Sequence, residues 1–161
     1  MAVDYFLKID GIQGESKDSK HKNEIDVESW SWGSTNAGQA AQGGGVGTGK
    51  VSMQDFHFVM QVNKASPLLM QHCATGEHIK QATLTCRKAG KEQQEYLKIK
   101  LEDFIVSSYQ TGGSGGSNQV PVEQISLNFA KVSVAYAEQL ETGALAGPVT
   151  KGYDLKSMKP F

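Results

Sequence analysis

Residues 43–62 read GGGVGTGKVSMQDFHFVMQV, and the reading of the second half decides what kind of fold surrounds the first. From Gly44 the stretch runs glycine, four residues, Gly49, Lys50, which is phosphate-loop spacing up to its last position. A phosphate loop next needs a serine or threonine hydroxyl for magnesium, and a helix whose N-terminus offers free N–H groups and positive potential. Val51 stands where the hydroxyl belongs. Beyond it Phe56, Phe58, Met60 and Val62 recur at every second position, the period of a half-buried strand. The preceding GSTNAGQAAQ (33–42) is a run of small residues. The glycines therefore read as a long connection between strands, not as a nucleotide cradle.

The same alternation recurs along the chain. VDYFLKI (3–9), IDVESWSW (25–32), VSMQDFHFVMQV (51–62), KQATLTCRKA (80–89), QEYLKIKLEDFIVSSYQ (94–110) and VEQISLNFAKVSVAYA (122–137) all read as strands, with GYDLKSMK (152–159) as a short last candidate. One helix interrupts them at about 66–76. Ser66 is the expected N-cap, Pro67 suits the first turn, Gly76 suits a left-handed exit, and Leu69, Met70 and Cys73 are expected on one face. Within four long runs the apolar parity changes: Ile25/Val27 to Trp30/Trp32, Val51/Met53 to Phe56/Phe58/Met60, Leu97/Ile99/Leu101 to Phe104/Val106, and Ile125/Leu127/Phe129 to Val132/Val134/Tyr136. A strand changes its buried face only through a bulge or by being covered on opposite sides at its two ends. Such corners close small barrels and crossed sandwiches. The expected fold is mainly β: a compact barrel or two packed sheets with one short helix, a single domain over 1–161, some of its strand ends covered from outside. Of two glycine-rich connections, TGGSGGSN (111–118) reads as a hairpin loop, and 33–49 is long enough to suggest a function of its own.

Composition narrows the partners. Formal net charge is −1, and Arg87 is the only arginine among sixteen basic residues, so neither a basic field nor bidentate base readers point to nucleic acid. MAVDYFLKID lacks the basic and apolar segments of a signal peptide, and no apolar run reaches spanning length, so no membrane insertion is expected and export would bypass the general secretory route. Cys73 and Cys86 are too few for a disulfide framework and are expected as thiols. His72, Cys73, His78 and Cys86 match no zinc spacing. Asp55 and His57 share a strand face and could pair, but without a nearby nucleophile they make no catalytic dyad. No catalytic, metal or cofactor-binding residue is assigned, and no cofactor is expected.

Several of these segments, MAVDYFLKIDGIQGESKD, EIDVESWSWG, GKVSMQDFHF, CRKAG, EYLKIKLEDFIVSSYQTGGSGG and ISLNFAKVSVAY, closely resemble the haemolysin-coregulated protein (Hcp) family of bacterial type VI secretion systems. The likeness runs from Met1 to about Tyr153. It implies a β-barrel with a short helix, assembled as a homohexameric ring whose rings stack into the inner tail tube. Contractile sheath proteins surround that tube and a spike protein tips it. The tube is assembled in the bacterial cytoplasm and then expelled, without a signal peptide, outside the cell or into a target cell. The lumen is implied to carry and chaperone secreted effectors. The competing reading is a monomeric β-barrel that binds a small ligand.

Two sets of residues follow. The bulk of Trp30 and Trp32 buries one strand face, so Ser29 and Ser31 project from the other. Alternation does not decide whether that face meets solvent or a pore. The family resemblance favours lumen lining, with the serine hydroxyls as uncharged effector contacts. The resemblance also places a protruding loop at 33–49, which makes Gly38, Gln39, Gln42, Gly43, Gly44, Gly45 and Val46 the candidates for stacking one ring on the next.

Overall fold

A computed structural model describes residues 2–37, 50–90, 92–116 and 118–161. The stacking candidates Gly38, Gln39, Gln42, Gly43, Gly44, Gly45 and Val46 lie outside the described residues. In chain order the elements are β1 (Val3–Ile9), β2 (Ile25–Val27), β3 (Ser29–Ser31), β4 (Ser34–Asn36), β5 (Val51–Met53), β6 (Phe56–Gln61), α1 (Ser66–Thr75), β7 (Ile79–Lys88), β8 (Glu95–Gly112), β9 (Val122–Tyr136), β10 (Val149–Asp154) and β11 (Lys159–Pro160).

The antiparallel pairings close on themselves. β1 pairs with β2, β2 runs on through Glu28 into β3, β3 pairs with β6, β6 with β9, β9 with β8, β8 with β7, and β7 returns to β1. The result is a barrel, with β10 and β11 added outside β9. Closure removes most free edges, the liability of any sheet. Phe56, Phe58, Phe104, Leu84, Leu101, Ile125 and Leu127 fill the interior with essentially no exposed surface. Each such side chain contributes about 1.5–3 kcal/mol by burial.

Each parity change has its own device. The first falls at Glu28, whose N–H donates to the Val59 carbonyl at 2.8 Å and turns the strand from β1 towards β6. The second falls at Gln54–Asp55, which separate β5 from β6. Here β5 leaves the barrel to pair with β4 in a two-stranded ribbon, so the long connection starting at Gly33 contains a strand that composition did not reveal. The third and fourth, in β8 and β9, fall opposite each other. Their register is unbroken from Leu97↔Tyr136 to Val106↔Leu127, yet both change buried face at Asp103 and Ala130. Asp103 adopts φ 50°, and the Ala130 carbonyl accepts the Leu155 N–H at 2.8 Å. A bulge between Val106 and Ser108 follows.

The chain itself buries both halves of these strands. The expectation of outside cover is thereby narrowed to the strand ends: the cross-strand partners Tyr136 and Val149 stay 49% and 65% exposed at one, and Val122 stays 38% exposed at the other.

The helix also departs in detail. Ala65, not Ser66, occupies the N-cap and makes no side-chain cap. The Asn63 side-chain oxygen instead accepts the Ala65 N–H at 2.8 Å, which frees the Ser66 hydroxyl to turn into the core. Gly76 ends the helix at φ 69° as expected, its N–H donating to the His72 carbonyl at 2.9 Å. Leu69 is buried, but Met70 is 49% exposed and does not share its face.

Outside β1 and β7, the segment 13–24 builds a second, polar layer. Phe6 and Arg87 point away from the barrel interior, yet both are buried. The Phe6 ring stacks on His21 at 4.4 Å, and the Arg87 guanidinium carbon lies 4.8 Å from the same ring's centroid. Arg87 donates to Asp18 at 2.7 and 3.0 Å and to Asp4 at 3.2 Å.

Candidate functional site: uncharged rungs on a four-stranded face

Strand alternation places Ser29 and Ser31 as expected. Trp30 turns inward, 6.1 Å from Phe56 and 6.2 Å from Tyr5, and Trp32 lies 6.1 Å from Phe129. Both serines are exposed on the opposite face. The pairing registers then set them into two rows that cross β3, β6, β9 and β8. One row reads Ser31–His57–Ser126–Ser108 and the other Ser29–Val59–Gln124–Gln110. Neither row holds a carboxylate or an amine. His57 Nδ1 is hydrogen-bonded to Ser126 Oγ at 3.1 Å. The face is a wall of hydroxyl, amide, imidazole and valine side chains, in which the hydroxyls and amides offer donors and acceptors without a charge of their own.

Charge stays at its margins, where it is satisfied locally. Asp55 accepts from Ser107 at 2.6 Å and from Asn128 at 2.8 Å, and Glu28 accepts from Gln61 at 3.1 Å. Asp55 and His57 thus take separate partners and do not form the pair their spacing allowed. The sequence reading missed His57, Ser126, Ser108 and Gln124 as neighbours of the serines. Their parity was visible between Phe56, Phe58, Ile125 and Leu127, but the strand order that aligns them was not.

The other expected residues fall elsewhere. Lys50 is followed directly by strand β5, so it does not open a helix as a phosphate loop would. His72 bonds to the Leu68 carbonyl at 2.8 Å, while His78 bonds to Asp103 at 2.8 Å. Cys73 and Cys86 are free thiols, and burial pushes the Cys86 thiol up to about 12. Among the described residues no group of three or more His, Cys, Asp or Glu could hold a metal ion. No helix there is long and apolar enough to cross a membrane.

The fold defines the class as a closed antiparallel β-barrel protein, and comparison with known proteins gives the family. Residues 6–136 match the family model described as "Type VI secretion system effector, Hcp". The chain is 49% identical over 158 residues to Protein hcp1 of Pseudomonas aeruginosa, with 97% of each covered. Its structure is similar to that of Hcp1 from Salmonella typhimurium, with 41% identity, TM-score 0.82 and 100% of both chains covered. It is also similar to a solved type six secretion system protein at 28% identity and TM-score 0.93, covering 99% of this chain and 100% of that one. The chain belongs to the Hcp family of secreted type VI proteins and is a type VI secretion tube protein.

Proposed function

We propose that six copies form a ring, that the rows through Ser29 and Ser31 line its lumen, and that stacked rings form the inner tube. A contractile sheath expels this tube behind a spike, and effectors ride in the lumen. The observation that carries the reading is the four-stranded face itself. β3 has β6 on one side, and residues 105–112 of β8 have β9 on one side. No strand among the described residues pairs with the other edge of either. A head-to-tail ring joins the two unlike edges of neighbouring copies and leaves none over. Six copies of four strands at about 4.8 Å spacing give a circumference of about 115 Å and a diameter of about 37 Å, before strand tilt widens it. That is wide enough for a small folded domain.

Light scattering tests the ring, which is expected near 100 kDa, six times the 17.4 kDa chain. A species of 17.4 kDa at every concentration favours the monomeric ligand-binding barrel instead. Ser31→Gln adds bulk that the ring repeats six times, on an exposed position where substitutions cost little stability. Ring mass is expected to stay the same while co-purification and protection of effectors are lost. Intact Ser31→Gln rings that still hold several effectors would refute lumen lining. Deleting residues 38–47 is expected to leave rings intact and to stop stacking and secretion. Wild-type secretion by that variant would refute a stacking role.

A further inference from the structure

Glu123 has no exposed surface, yet it faces inward on β9 in line with Ile125 and Leu127. Its two carboxylate oxygens accept hydrogen bonds from Ser66 Oγ on α1 and from Tyr109 Oη on β8. Ser66 Oγ also accepts the Asn63 N–H at 3.1 Å, and the Asn63 amide donates to the Gln61 carbonyl at 2.9 Å. The end of β6, the first turn of α1, the start of β9 and the last part of β8 therefore meet on one carboxylate. A leucine here would extend the apolar row without the cost of desolvating an acid. The carboxylate brings a fixed geometry that a leucine could not.

Tyr109 lies on the segment of β8 that pairs only with β9, just beyond the bulge at Val106/Ser108. A segment with one neighbour leaves its other row of N–H and C=O groups open to a further strand, and the bulge bends and twists it locally. Burial, followed by the hydrogen bond to Glu123, pushes the Tyr109 phenol up to about 12, so it remains a hydroxyl donor. We propose that Glu123 is a positioning residue for ring closure, holding residues 108–112 of β8 through Tyr109 at the register and twist an adjacent copy must meet. This rests on the six-copy ring proposed above.

The test is a dilution series of the full chain by sedimentation velocity. Tyr109→Phe removes one hydroxyl, and Glu123→Gln keeps the shape and one acceptor. Ile25→Val on β2, whose strand partner is β1, serves as the control for a general loss of stability. Urea midpoints place all variants on a common stability scale. Tyr109→Phe is expected to raise the concentration of half-dissociation at least tenfold, Glu123→Gln by less, and Ile25→Val by less than twofold for the same midpoint loss. Equal shifts in Tyr109→Phe and Ile25→Val, or no shift in either, overturn the proposal. If Tyr109→Phe does not fold, Glu123→Gln is read against the same control by the same criterion. A wild-type chain that never forms rings overturns the ring reading and this inference together. Intact wild-type rings with an unaffected Tyr109→Phe overturn this inference alone.

Discussion

Arg87→Met keeps most of the side chain's apolar stem and removes its fork. In the native chain that fork bridges Asp18 and Asp4 over the Phe6 ring, pinning segment 13–24 to β1 and β7. Removing one partner of a buried ion pair costs about 3–5 kcal/mol, because the other charge is left without compensation. Arg87 is only 3% exposed, but Asp18 is 18% and Asp4 45% exposed, so water reaches the stranded carboxylates. The lower end, about 3 kcal/mol, is the expected loss at neutral pH. Arg87→Lys keeps the charge but not the bidentate fork and should lose less. The pH dependence has a definite sign. Arg87 holds the Asp18 carboxyl well below the usual carboxylate range. A depressed carboxylate contributes stability above its unfolded value, near pH 4, and loses it as pH falls towards the folded one. The gap between wild type and Arg87→Met should therefore narrow from pH 5 to pH 3. Urea unfolding followed by the fluorescence of Trp30 and Trp32, at one protein concentration, measures it. A loss under 1 kcal/mol at pH 7, or a gap that widens in acid, would refute the reasoning.

Two further outcomes follow from local geometry. A methyl at Gly14 would sit 2.5 Å from the Glu24 carbonyl oxygen and 2.7 Å from the Ile25 Cα; because both obstacles are backbone, Gly14→Ala should free segment 13–24 and speed its proteolysis while the barrel persists, and unchanged cleavage would contradict this. With its thiol raised to about 12 by burial, Cys86 should resist alkylation at pH 8 that reaches the half-buried Cys73; mass spectrometry should show one adduct before denaturant and two after, whereas two adducts on the native chain would show the interior to be open.

Period-two alternation is a local property, so one chain sufficed to show strands, their buried faces and even the places where those faces change. Strand β1 coincides with residues 3–9, and Ser29 and Ser31 project opposite Trp30 as their parity requires. The resemblance of quoted segments carried the family, and the comparisons agree. Which strand lies beside which was not legible, because ladder hydrogen bonds join residues far apart in sequence and leave no periodic trace. Only the folded chain set Ser31 beside His57, Ser126 and Ser108 in one row. Partnerships of buried polar groups were equally hidden. In the sequence Arg87 stood out only as the single arginine and Ser66 as the expected helix cap, whereas packing sealed Arg87 between two aspartates and turned Ser66 towards Glu123. A charge or hydroxyl taken from water must find a partner inside, and tertiary packing alone determines which partner lies within reach.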